Sequence, residues 1–504
     1  MPDFFMKFTG RIDRRSPRDE GDPTSPVLRE NWLSRDGVLK KPLGNENVIT
    51  GLSDIPRWMG RYHTIETGAV SPKTFVYTED GKIYVLDDQL GTATEVKDLL
   101  NTNAYPRHWL FKTTNQVKLF LVDGKRLFEH DGNNDNIFND VGVKDSDSND
   151  FEPIDVIEHR DRLFIISNTS LKISKNLEPE NFDDALDSLE VIVGSGKGTN
   201  LAFGKIKDKL YIFNTEGIFV IDGDVISALA STFEVRLIEE RKIIAGRTAF
   251  KVEEAILFLA DDYELWSWDG ANAQMLSFEL KLKDFVNKSP DMIVKATSIY
   301  HDNYYKMTFV RNAETEPNIE VWWDAFENKI DIVVGRNVSC YLKYDPTIET
   351  EIMQMGRSDQ NTIVEDNRGF DYDGSAIVTK IRTRDLTIKK GFNLRYTAFY
   401  FQFQPTGIRT VIVRYLLDGR LSNPSGANAH WSQSLRGERK TLGMIEIKNQ
   451  EQATGRVRPK INYSRGESIA FEITEQVKGQ QSNLQGIGVD YVSKHKSKGI
   501  TIGA

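Results

Sequence analysis

Cysteine is almost absent from this chain: one residue, Cys340, in 504. A single thiol excludes an internal disulfide framework and cannot complete a zinc site. Its place in the strand-like run VSCYLKY points to a buried, inert group made in a reducing compartment. Long apolar runs are missing too. No stretch of about 18 apolar residues occurs, and the opening MPDFFMKFTGRIDRR lacks the apolar centre of a signal peptide, so neither membrane insertion nor export is expected. His63, His108, His130, His159, His301, His430 and His495 form no H-x-x-x-H or H-x-H pair, which leaves metal catalysis without a ligand set. There is no G-x-S-x-G elbow on which to build a serine hydrolase. Helix signals are scarce, limited to short candidates at Lys97–Asn101 and Leu280–Asn287.

The motifs that remain are incomplete. VIVGSGKGTN has a glycine-rich turn with Lys197, but Val191 stands where a phosphate loop needs glycine and Gly198 where it needs Ser or Thr; a flexible hairpin loop is the expectation. DGNNDNIFND, residues 131–140, places Asp131, Asn133 and Asp135 at alternating positions. Asn136 and Gly142 then replace the Gly and Glu of a calcium loop, so an Asn-rich surface turn is expected. Ser267-Trp268-Asp269-Gly270 has its glycine one place early for a sialidase Asp-box, and the WD40 and kelch signatures also fail. With 74 acidic residues a glycosidase pair could always be nominated, but nothing selects one. The expectation is a protein with no catalytic residues, cofactor or metal.

What the chain does hold is a repeat. KIYVLDD, RLFEHDG, GIFVIDG and ELWSWDG share an aliphatic residue, then an aromatic one, two variable positions and Asp followed by Gly or Asp. With a degenerate copy at Leu171, the aliphatic positions Ile83, Leu127, Leu171, Ile218 and Leu265 recur every 44 to 47 residues. Each follows an apolar strand and a polar turn, as in VKLFLVDGK and DKLYIFNTEG, which reads as a hairpin. A sixth hairpin is expected in YYKMTFVRNAETEPNIEVWWDAF. Strands repeating at about 40 to 50 residues predict a β-propeller of six or seven blades over residues 56–374. In ELWSWDG, alternation puts Trp266 and Trp268 on one face to fill the gap between blades, and Asp269-Gly270 supplies the turn.

Residues 1–55, with Pro17, Pro23, Pro26 and Pro42, read as an extended arm able to lend a strand that closes the ring. From residue 375 the period stops, and alternating runs such as RYTAFYFQFQP and SIAFEITEQ predict an antiparallel β-sandwich over 375–504. The fold class is therefore all-β. Net charge divides at the same point: residues 375–504 carry 21 Lys and Arg against 9 Asp and Glu, while the first 374 carry 44 against 65. Basic clusters lie at Arg11, Arg14, Arg15 and Arg18; at Lys380, Arg382, Arg384, Lys389 and Lys390; and in GRVRPK and SKHKSK. They suit an acidic partner surface or phosphates, without the aromatic interleaving that reads unpaired bases.

The opening Gly10-Arg11-Ile12-Asp13, Asn31-Trp32 and Asp36–Gly44, followed by propeller hairpins and closing strands RGESIAFEIT and NLQGIGVDYV, resembles the tail hub or nozzle proteins of short-tailed bacteriophages, packaged-DNA stabilisation proteins among them. The resemblance implies a structural virion protein without an active site, made in the host cytoplasm and assembled as a homo-oligomeric, commonly hexameric, ring. It implies a place below portal and adaptor, contacts with the adaptor and with tail fibres or spikes, passage of double-stranded DNA, and a part in retaining and releasing the genome. A carbohydrate-binding or carbohydrate-active propeller, or a monomeric scaffold propeller, is the alternative.

Overall fold

The computed structural model describes the chain from Phe4 to Ser493 apart from residues 8–10, 15–21, 23–24, 36–37, 63–71, 88–90, 99, 114–115, 133–135, 184–186, 224–231, 348–349, 369–370, 389–393, 404–408, 418–439, 448–452, 458–464, 467 and 477–482; residues 1–3 and 494–504 also lie outside it. Among the described residues helix is confined to the 3-10 turns Gly246–Thr248 and Leu282–Asp284 and one α-helical turn, Pro290–Ile293. Lys97 instead ends the strand Thr92–Lys97, so the helix expected from it does not form.

Each repeat folds as a four-stranded antiparallel blade. The first blade holds Pro56–Tyr62, Lys73–Thr78, Ile83–Asp87 and Thr92–Lys97. The second holds Arg107–Lys112, Val117–Val122, Leu127–His130 and Asn139–Asp140. The third, fourth, fifth and sixth begin at Asp155, Asn200, Phe250 and Thr297. Every hairpin expected from the apolar runs forms, and Ile83, Leu127, Leu171, Ile218 and Leu265 are all buried on the third strand of their blades.

The seventh blade is composite. Val338–Thr347, Thr350–Arg357 and Ile363–Asp366 are joined by Asn45–Ile49 from the N-terminal arm, pairing Ile49 with Ile363 and Asn45 with Asp366. The first strands of successive blades touch all the way round, the seventh against the first included. A separate apolar cluster fills each gap, ending with Ile49, Met59, Val76, Leu86, Leu342 and Ile363 between the seventh blade and the first. Burying one such side chain contributes about 1.5–3 kcal/mol, so ring closure rests on interblade packing more than on strand pairing.

In the ELWSWDG hairpin, Trp268 is buried in the gap between the fourth and fifth blades, edge-on to Tyr211. Trp266 is half-buried, carries the Arg241 guanidinium 3.8 Å over its ring and donates Nε1–H to Asp262. Asp269 Oδ1 accepts from the Ala271 and Asn272 amides at 2.8 and 2.7 Å, and Gly270 takes φ 95°, closing the turn. Glu264 departs from the simple alternation: its buried carboxylate accepts from Ser277 Oγ and the Leu282 amide, anchoring the connection to the sixth blade.

The C-terminal strands form two facing sheets. One contains Leu394–Phe403, Ala453–Val457 and Asn483–Ser493, joined by Phe4–Lys7 and the hairpin Leu33–Arg35, Val38–Lys40. The other contains Val378–Arg382, Ile469–Gln476, Arg409–Leu417 and Lys440–Ile447. Phe399, Phe401, Phe471, Ile473, Ile487 and Trp32 pack between them. This second sheet is not separate from the propeller. Leu28–Glu30 lies between Lys329–Val334 of the sixth blade and Val378–Arg382, which makes one nine-stranded sheet.

Buried polar groups fix that crossing. Asn31, at φ 56°, donates Nδ2–H to the Val334 and Val378 carbonyls and accepts the Val334 amide. Arg29 pairs with Asp331, which also accepts the Ser34 amide at 3.0 Å. Arg384 pairs with Asp13 at 2.6 Å and is 1% exposed, so it is a structural joint and not part of a solvated basic face. Between the sixth and seventh blades, Lys306, Glu320, Arg336 and Asp366 form a fully buried network with Tyr341. Burial opposes charge on Asp366, yet Arg336 and Lys306 hold its carboxyl below the usual range.

Candidate functional site

The first strands of all seven blades surround an axial cavity of about 370 Å³. Its mouth lies where the chain enters those strands, and there three arginines converge. Arg57 is the second residue of the first strand of blade one and Arg107 begins that of blade two, each directly after a proline; Arg247 comes from the 3-10 turn that leads into blade five.

Arg247 crosses the axis. Its Nη2–H donates to the Ser339 carbonyl of blade seven at 2.9 Å and to the Arg57 carbonyl at 3.2 Å. Arg107 pairs with Asp155 of blade three at 2.8 Å, while its Nη2 would lie 3.1 Å from a Cβ placed on Gly246. Arg57 pairs with Glu79 at 2.7 Å and lies 3.8 Å from Glu316, which Lys295 also engages at 2.5 Å. The Tyr105 ring carries Arg57 on one approach and Arg247 on another, at 5.3 and 5.0 Å.

Burial and charge partners compete here: burial opposes the charge on Arg57, yet Tyr105, Glu79 and Glu316 hold its guanidinium above the usual range, whereas at Arg247 desolvation wins. Burial pulls Arg247 down to about 10, with Arg107 and Arg57 adding repulsion, and it pushes the Asp155 carboxyl up against the pull of Arg107 and of the Phe203 and Val156 amides. Burial likewise raises Tyr105 and the Cys340 thiol, and Cys340 is buried as its sequence context implied. Deeper in, Trp58 Nε1–H donates to His108 Nδ1 at 3.0 Å, and burial lowers His108 to about 4.

The other motifs resolve as structure. In VIVGSGKGTN, Ser195 donates its amide and hydroxyl to Glu216, so a carboxylate of the chain itself occupies the turn. Of DGNNDNIFND, residues 133–135 lie outside the described residues, and Asn136 accepts from Lys73 at 2.7 Å. His130 stacks on Phe138, and His301 Nε2 lies 3.3 Å from Glu351. His63, His430, His495, Arg15, Arg18, Lys389, Lys390 and SKHKSK after Ser493 are outside the described residues, as are parts of GRVRPK. Among the described residues no group of His, Cys, Asp and Glu is arranged to hold a metal ion, and no helix is long and apolar enough to cross a membrane. Sequence reasoning missed the axial arginines. The signal available was the Pro-Arg pair at 56–57, repeated at 106–107.

No family model and no curated protein matches the chain. Solved structures do align with it. The β-propeller domain of Cps50 (Swd1) from Myceliophteria thermophila aligns at TM-score 0.40 and 10% identity, over 64% of this chain and 98% of its own. Virginiamycin B lyase from Staphylococcus aureus aligns at 0.40 and 12%, over 64% and 98%. YCF48 bound to D1 peptide aligns at 0.40 and 10%, over 66% and 99%. At such scores the likeness says nothing of activity, and the β-propeller assignment stands on the seven blades themselves.

Proposed function

We propose that the chain is a structural subunit of a short-tailed bacteriophage tail, a hub or nozzle protein that assembles as a ring below portal and adaptor. The observation that supports this reading most is the location of the residues carrying the resemblance. Asp13 meets Arg384; Asn31 and Trp32 stand where the sixth blade crosses into the sandwich; Leu39 lies in the hairpin against Asn483–Ser493. Together they weld arm, propeller and sandwich into one stiff body, as a load-carrying ring subunit requires.

The DNA path in this reading runs between subunits. A cavity of about 370 Å³ crossed by Arg247 cannot pass a duplex whose major groove alone is about 12 Å wide. A lumen should also avoid strong phosphate binding, since each neutralised phosphate releases counterions and adds affinity. The acidic first 374 residues suit such a wall, and the basic remainder suits contact with an acidic adaptor, fibre or spike surface. The particle is the place of function and the host cytoplasm the place of synthesis. Quantitative mass spectrometry of purified particles of the virus encoding the chain tests this: several copies per particle are expected, and absence from the particles contradicts the proposal.

A further inference from the structure

The axial arginines tie blades together, but among the described residues those contacts leave part of their hydrogen-bonding capacity unused. Seven apolar clusters already hold the blades together, yet three guanidinium groups are brought to one point and partly desolvated. Arg57 and Arg107 have carboxylate partners, but among the described residues Arg247 has no acidic group within 4 Å and makes only carbonyl contacts and a ring contact. Buried Nη1 of Arg247, Nη2 of Arg107 and Nε of Arg57 have no hydrogen-bond acceptor among the described residues. A buried guanidinium N–H without an acceptor is costly, and an oxyanion is the acceptor its geometry fits best.

Charge balance narrows the class. At the mouth the cluster sets Arg57, Arg107, Arg247 and Lys295 against Glu79, Asp155 and Glu316, leaving one positive charge, that of Arg247; of the two lysines that also line the cavity, Lys205 is paired with Glu158 and Lys251 is exposed to solvent. One bound negative charge neutralises the mouth, whereas a phosphate dianion overshoots beside three carboxylates. Below the arginines the wall includes Val156, Phe203, Phe250 and Ile256, apolar residues that favour an apolar body over a polar one. The volume falls within the usual range of about 300–1,000 Å³ for small-molecule pockets.

We propose that the propeller axis is a binding site for a small monocarboxylate with an apolar body, its carboxylate held between Arg247 and Arg107 and its body lying in the cavity below. Binding would lock blades one, two, three, five and seven, which Arg247 and Arg107 already bridge. The inference is independent of the tail proposal: a tail protein without this site and a non-viral protein with it are both distinguishable outcomes.

Benzoate, benzamide, acetate and inorganic phosphate, titrated into the full chain by calorimetry, test the site. Benzoate should bind, with benzamide, acetate and phosphate each weaker by about tenfold or more. Arg247→Gln and Arg107→Gln should each weaken benzoate by about tenfold or more, while Lys207→Gln, on an exposed turn outside the cavity lining, leaves it unchanged. Thermal melting first establishes that each variant is folded; if Arg247→Gln is not, Arg107→Gln and the wild-type preference for benzoate over benzamide decide. No benzoate binding at about 10 mM, phosphate or benzamide binding as tightly as benzoate, or undiminished binding by the folded variants would overturn the proposal.

Discussion

Replacing Asp366 by alanine tests how the last two blades are joined. Asp366 accepts from Lys306 Nζ at 2.8 Å and pairs with Arg336; all three side chains are 1% exposed. Removing the carboxylate leaves two buried cations facing Glu320 alone. Breaking a buried pair from one side costs about 3–5 kcal/mol, because the remaining charge is neither hydrated nor neutralised. Removing one charge of each sign should cost far less. Lys306 lies 4.2 Å from the Trp322 ring centroid, so methionine keeps most of its packing, and Lys306→Met with Asp366→Leu should fall within about 1 kcal/mol of wild type. Urea unfolding of the wild type, Lys306→Met, Asp366→Leu and the double variant gives the coupling energy, with Asp366→Ala measured beside them. With each single variant costing about 3–5 kcal/mol and the double about 1, a coupling energy of about 5 kcal/mol or more is expected; additive losses, or an Asp366→Ala cost below about 1 kcal/mol, would refute the reasoning.

Other perturbations probe separate joints. Ile49→Ala, in the strand the arm lends to blade seven, should cost about 2–5 kcal/mol in urea unfolding despite lying nearly 300 residues from the blade it completes. Trp268→Ala should cost about 3–5 kcal/mol and the half-buried Trp266→Ala clearly less, measured the same way. Acid should destabilise the fold through its histidines: His108 and His301 are each lowered to about 4 by burial, against an unfolded value near 6.5. Because the unfolded chain takes up these protons first, stability is full above about pH 6.5 and falls as pH drops toward 4, by up to about 3 kcal/mol for each ring. Melting temperatures from pH 7.5 to 4 check this, and in His108→Gln the loss should shrink by about half.

The hairpins were legible because their signal is local. Strand, Asp-Gly turn and a buried aliphatic recur within one blade, and Ile83 through Leu265 occupy equivalent buried positions. The crossing of propeller into sandwich was not legible, since Glu30 pairs with Ile332 and with Lys380 across some 300 residues and no local pattern specifies such partners. Arg384 misled for a related reason: in TKIRTRDLTIKK it reads as one more solvated charge, and the returning N-terminal arm, through Asp13 and the Ser25 carbonyl, makes it a buried joint. The axial arginines are individually ordinary. Their meaning comes from the ring that brings residues 57, 107 and 247 together.

The central claim, inert ring architecture built from a tied propeller and sandwich, is tested most directly by electron microscopy of the purified full chain at high concentration. Closed rings of identical subunits, with a lumen wide enough for duplex DNA lying between the propellers and not through them, are expected. A population that stays monomeric at every concentration, or a ring with no such opening, would contradict it.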